Sequence, residues 1–164
     1  MAYLTQKTIK NNVNFSGIAL HSGLNVNVCI KPAKVNFGIV FKRIDLKNNN
    51  EVYPNFLNVT NTSLNTTIEN QFGAKVSTIE HLMGALFGLG IDNALIEIDN
   101  EEVPILDGSA KIFIEKIILT GIDVSNQPIK IIKINNEIKY SEGERFISAK
   151  PSTLTLDIDF ELKY

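Results

Sequence analysis

Near the start of the chain apolar and polar positions alternate. Val26, Val28 and Ile30 are separated by Asn27 and Cys29, the period of a strand with one buried face. Asn14 to Leu20 precede that run and His21-Ser22-Gly23 lie between, so a hairpin turning at Ser22-Gly23 is expected. Phe37 to Arg43 reads as another strand, Glu51 to Val59 and Ser63 to Ile68 as weaker ones, and Lys47 to Asn50 as a polar loop.

The period then changes. Ser77-Thr78-Ile79-Glu80 has the spacing of a capping box, with Ser77 at the N-cap and Glu80 three residues on. Ile79, Leu82, Met83, Leu86 and Leu89 follow at helical spacing and Gly90 fits the stop, which predicts a short buried helix over Thr78 to Leu89. Asn93 to Asp99 alternates again through Ala94, Ile96 and Ile98. Val103 to Gly108 is an extended run ending in a turn. Ser109 can cap a second helix over Ala110 to Leu119, closed by Gly121.

Ser125-Asn126-Gln127-Pro128 reads as a linker, followed only by strand patterns: Ile129 to Ile134, Glu137 to Tyr140, Arg145 to Lys150 and Thr153 to Leu162. Ile9-Lys10-Asn11-Asn12 leads through a hairpin to Lys31-Pro32, and Ile134-Asn135-Asn136 leads through another to Lys150-Pro151. This echo points to a duplicated unit. A few strands without a covering layer would leave an apolar face in water, so the second copy is expected to be incomplete. The expected organisation is a first α+β domain over 1–124, then a linker and the start of a second domain over 125–164.

The 164 residues carry a net charge of −2, with 44% hydrophobic and 21% charged positions, so a disordered or fibrous chain is excluded. The near-neutral balance argues against nucleic acid as the main partner. One cysteine, Cys29, precludes an intrachain disulfide and suits a reducing compartment. The opening MAYLTQKTIKNN has no apolar h-region, and the apolar run Leu82 to Ile91 is about half the length that spans a bilayer. A cytoplasmic protein without stable membrane insertion is the expectation.

His21 and His81 are the two histidines, too few with one cysteine for a closed zinc site of Cys and His ligands. No H-E-x-x-H, C-x-x-C, phosphate loop or G-x-S-x-G is present. Glu80-His81 is the most suggestive pair. Adjacent residues sit about 100° apart on a helix, so both side chains reach one cleft, a workable layout for a metal ligand beside a general base. Gly84, Ala85 and Gly88 below His81 would let another element approach. The plainer alternative leaves Glu80 as a capping residue and His81 as an ordinary histidine. His21 is either a cleft contact or a solvated turn residue. Asp107 either caps the second helix or orients a metal-bound histidine from outside the ligand set.

Ser77 to Leu86 resembles the Ser-Thr-Ile/Val-Glu-His-Leu helix of the UDP-3-O-acyl-N-acetylglucosamine deacetylases, the LpxC family. The likeness continues through Gly88 to Asn93 and Pro104 to Ala110, and is supported by Gly17 to Gly23 and Leu154 to Phe160. It implies a zinc-dependent amide hydrolase of lipid A biosynthesis that removes acetate from the 2-amino group of a UDP-linked acylated glucosamine. The implied fold is a layered α+β domain of the LpxC or ribosomal S5 domain 2-like type, followed by the first strands of a second, similar domain.

By the same resemblance Glu80 is the general base and His81 a zinc ligand. His21, Asp107, Leu64 and Asn65 fall at the substrate cleft or around the ligands. The family's other two zinc ligands and the histidine that assists the leaving group lie in a later H-K-x-x-D-x-x-G-D region and beyond, past Tyr164. The expectation is therefore the front half of such an enzyme, inactive alone, with a missing C-terminal half as partner. The competing reading is a non-catalytic binding or regulatory half-protein.

Overall fold

A computed structural model of the chain describes residues 4–152 and 158–161. The strands and helices, in order, are β1 (Thr5–Ile9), β2 (Val13–Ile18), β3 (Asn25–Pro32), β4 (Ile39–Arg43), β5 (Glu51–Val52), β6 (Val59–Asn61), β7 (Thr67–Glu69), β8 (Lys75–Val76), α1 (Glu80–Leu89), β9 (Ala94–Ile98), α2 (Lys111–Thr120), β10 (Ile122–Pro128), β11 (Ile138–Glu142) and β12 (Arg145–Ala149). They fall into two units, 1–129 and 130–164.

The first unit is built on a five-stranded sheet in the order β2-β3-β9-β4-β5. β2 and β3 form the expected hairpin, with Ser16 opposite Asn27 and Gly23 in the left-handed region at φ 69°. β9 pairs antiparallel with β3 and parallel with β4. Alternation places Val26, Val28, Ile30, Ile96 and Ile98 on one face, all buried. Leu82, Ala85 and Leu86 of α1 and Phe113 and Ile117 of α2 belong to the same core. The Phe15 and Phe113 rings meet at 4.9 Å between centroids, tilted by 55°. Gly90 ends α1 at φ 68°, its N–H donating to the carbonyls of Leu86 and Phe87.

Several sequence expectations change. Ser125–Pro128, expected as a linker, is the end of β10, which pairs antiparallel with β1 through Thr5 opposite Pro128 and Ile9 opposite Ile122. This partner lies more than a hundred residues away, so no local pattern announces it. Ser63 to Ile68 is not one strand, because Leu64 at φ 62° bends the backbone and β7 starts only at Thr67. Glu51 to Val59 is likewise divided, by a 3₁₀ turn over Phe56–Asn58 between β5 and β6.

In the second unit β11 and β12 form a hairpin, Ile138 opposite Ala149, turning at Gly143 with φ 59°. The Lys139 ammonium stands 4.4 Å from the centroid of the Phe146 ring. Residues 130–137 are not strand, so the expected strand over Ile129 to Ile134 does not form. The strand expected over Thr153 to Leu162 lies largely outside the described residues. Among the described residues, no helix is long and apolar enough to cross a membrane.

Candidate active site around the start of the first helix

The approach to α1 is set by a pairing between distant segments. The Ser77 N–H donates to the Glu101 carbonyl at 2.8 Å, and the Val103 N–H donates to the Ser77 carbonyl at 3.1 Å. Thr78 then turns the chain with φ 54°, a left-handed conformation unusual for a β-branched residue, and is 3% exposed. α1 therefore begins at Glu80, two residues later than expected.

The capping box does not form. The Ser77 hydroxyl donates to the Glu101 carbonyl at 3.1 Å, and Ile79 occupies the cap position without a side-chain cap bond. Pairing with 101–103 draws Ser77 into an extended segment, away from the helix end. The Glu80 carboxylate is thus released from its own helix. It is exposed, and its Oε2 accepts the Thr66 N–H at 3.2 Å.

Leu64 and Asn65 immediately precede that Thr66 contact. Leu64 is 89% exposed, and Asn65 Oδ1 accepts the Thr67 hydroxyl at 3.0 Å. The β6–β7 loop is thereby tied to the start of α1. His81 follows Glu80 in the first turn and is half-buried. Gly84 and Gly88 continue its stripe, and a Cβ built on either would meet no atom within 4 Å beyond its chain neighbours and its own helix backbone. Ala85, expected on the same open stripe, is fully buried and faces the core instead.

Glu102 was not singled out by sequence reasoning. It is 2% exposed, and its carboxylate accepts the His21 N–H at 2.9 Å, the Ser22 N–H at 2.8 Å and the Thr78 hydroxyl at 3.0 Å. Burial pushes its carboxyl up, but these donors, with the Ser22 hydroxyl, outweigh burial and hold it below the usual carboxylate range. The only sequence signal is an acidic residue entering the apolar run Val103 to Leu106.

His21 is exposed at the hairpin turn, with its backbone held by Glu102. Asp107 is exposed, and its Oδ1 accepts both the N–H and the hydroxyl of Ser109 at 3.0 Å. The Ser109 hydroxyl in turn accepts the Lys111 N–H at 3.1 Å. Glu80, Thr66 and the Leu64-Asn65 loop are thus brought together, and Glu102 links the His21 turn to Thr78. Asp107 makes a local turn at the entry to α2.

Glu80-His81 offers one carboxylate and one imidazole. Among the described residues, no three His, Cys, Asp or Glu side chains converge as a metal cluster. A single imidazole does not close a zinc site, so the chain's own donors fit one corner of such a site.

The profile of the LpxC family, UDP-3-O-acyl N-acetylglycosamine deacetylase, matches residues 6–164. The chain is 40% identical over 161 residues to the UDP-3-O-acyl-N-acetylglucosamine deacetylase of Pseudoalteromonas atlantica, covering 98% of this chain and 53% of that protein. It is 40% identical to the same-named protein of Teredinibacter turnerae and 41% identical to that of Acidithiobacillus ferrooxidans, each covering 96% of this chain and 53% of the relative. The chain spans about half the length of these curated relatives. A match running over nearly all of these residues, at this identity, makes the chain a member of the LpxC family of deacetylases.

Proposed function

We propose that this chain supplies the first half of a zinc-dependent deacetylase that removes acetate from UDP-3-O-acyl-N-acetylglucosamine in lipid A biosynthesis. The observation that carries the reading is the Glu80 carboxylate, free of its helix end, bonded to the Thr66 N–H and adjacent to His81. Family membership and the names of the relatives support the same chemistry.

In this reading His81 is one zinc ligand and the rest of the protein provides the others, from a second domain that begins in the 130–164 unit. Bound zinc would supply Lewis-acid polarisation of the amide carbonyl and of a water. Glu80 takes the proton from the attacking water as general base, and the Thr66 N–H keeps its carboxylate aimed. Gly84 and Gly88 leave room along the His81 side of α1. Leu64, Asn65, His21 and Asp107 are assigned to the substrate cleft or to the surroundings of the ligands on the family resemblance. The reading sets the reaction in the cytoplasm, a reducing compartment that the single Cys29 of this chain suits.

The test is acetate release from the UDP-sugar by the full-length protein, compared with its Glu80→Gln and His81→Ala variants. Loss of turnover in both, with the fold retained, is expected. Turnover that survives either substitution unchanged overturns the assignment.

A further inference from the structure

Glu102 is a buried anion whose three geometrically placed donors, the N–H groups of His21 and Ser22 and the Thr78 hydroxyl, are all neutral. A carboxylate taken out of water without a cation is costly, and several hydrogen bonds are needed to hold it. An apolar side chain there would leave the same donors unsatisfied. The expense falls at a particular place. One oxygen, Oε1, accepts from both His21 in the β2–β3 turn and Thr78, two residues before Glu80. Thr78 is also the strained residue, at φ 54°, that directs the chain into α1.

We propose that Glu102 is a positioning residue: by clamping the His21–Ser22 turn to Thr78 it fixes where α1 starts, and so where the Glu80 carboxylate stands. The proposal rests on the deacetylase reading of Glu80. It acts through hydrogen bonds that a glutamine of the same shape only partly replaces. The amide oxygen of glutamine accepts, but its NH₂ would face an N–H or hydroxyl donor.

The experiment uses the full-length protein with Glu102→Gln and, independently, Thr78→Val, which removes the hydroxyl and keeps the branched shape. Each is made in the parent and in a Glu80→Gln background. Displacing groups that hold reacting ones lowers turnover by about 10–100-fold, and that loss in kcat is expected for both substitutions in the parent. In the Glu80→Gln background the further loss should shrink to about threefold or less, because there is no base left to misplace. A purely structural role would multiply through unchanged.

Parental kcat in a folded Glu102→Gln protein, or the same loss factor in both backgrounds, overturns the positioning role alone. Should Glu102→Gln fail to fold, Thr78→Val carries the same comparison. A parent without turnover, or a Glu80→Gln variant as active as the parent, overturns the deacetylase reading and this proposal with it.

Discussion

The backbone N–H of Thr66 donates to the Glu80 carboxylate at 3.2 Å, joining the β6–β7 loop to the first residue of α1. The contact exists because Ser77 is paired with Glu101 and leaves the helix end without a capping box.

Glu80→Gln separates chemistry from fold. Glutamine retains an oxygen for the Thr66 N–H, and the side chain is exposed, so stability should change by no more than about 0.5 kcal/mol. Loss of a general base should lower kcat by about 10²–10⁴-fold. Steady-state kinetics beside a thermal melt checks both. A large drop in melting temperature would show that Glu80 supports the fold.

Zinc binding should separate the 164-residue chain from the full-length protein. With one imidazole at the site, the chain is expected to show no tight zinc binding in calorimetry, and His81→Ala should remove its weak binding. The full-length protein should bind tightly and lose that binding with the same substitution. Tight binding by the chain that is indifferent to His81 would place the metal elsewhere.

Asp45 should contribute pH-dependent stability. Its carboxylate accepts from the buried Arg43 guanidinium at 2.8 and 2.6 Å, and that pairing holds its carboxyl below the usual range. The unfolded chain then binds more protons in acid, so stability rises with pH there. Asp45→Ala should cost about 1–3 kcal/mol at neutral pH. That difference should be complete above about pH 4, the ordinary carboxylate value, and fade as pH falls through the lowered one. Urea unfolding of both proteins from acid to neutral pH measures it; a gap that widens in acid would contradict the pairing.

Phe113→Ala should be the costliest of these changes. Phe113 is fully buried against Phe15, and deleting the ring leaves a cavity worth about 3–5 kcal/mol. Denaturant midpoints report it. A loss under about 1 kcal/mol would mean that α2 is not locked to the sheet.

The β2–β3 hairpin was legible because Val26, Val28 and Ile30 alternate around a turn that ends in Gly23. The stop of α1 was legible because Gly90 adopts a conformation that few other residues tolerate. Glu80 and His81 stood out as an adjacent carboxylate and imidazole on an amphipathic helix. Their surroundings did not. The capping-box spacing of Ser77 and Glu80 pointed to a local pairing, but both side chains found partners elsewhere, at Glu101 and Thr66. Ser125–Pro128 has the composition of a linker and is a strand because β1 offers it an edge.

Short-range periodicity and backbone preference, properties of neighbouring residues, therefore determined the hairpin, the bodies of the two helices and the buried face of the sheet, while the resemblance to the family singled out Glu80 and His81. Tertiary structure alone decided where α1 begins, what the Glu80 carboxylate touches, and that Glu102 clamps His21 to Thr78. Those outcomes depend on hydrogen bonds between residues 14, 24 and 81 positions apart, which satisfy buried or competing polar groups only once the sheet has brought the segments together.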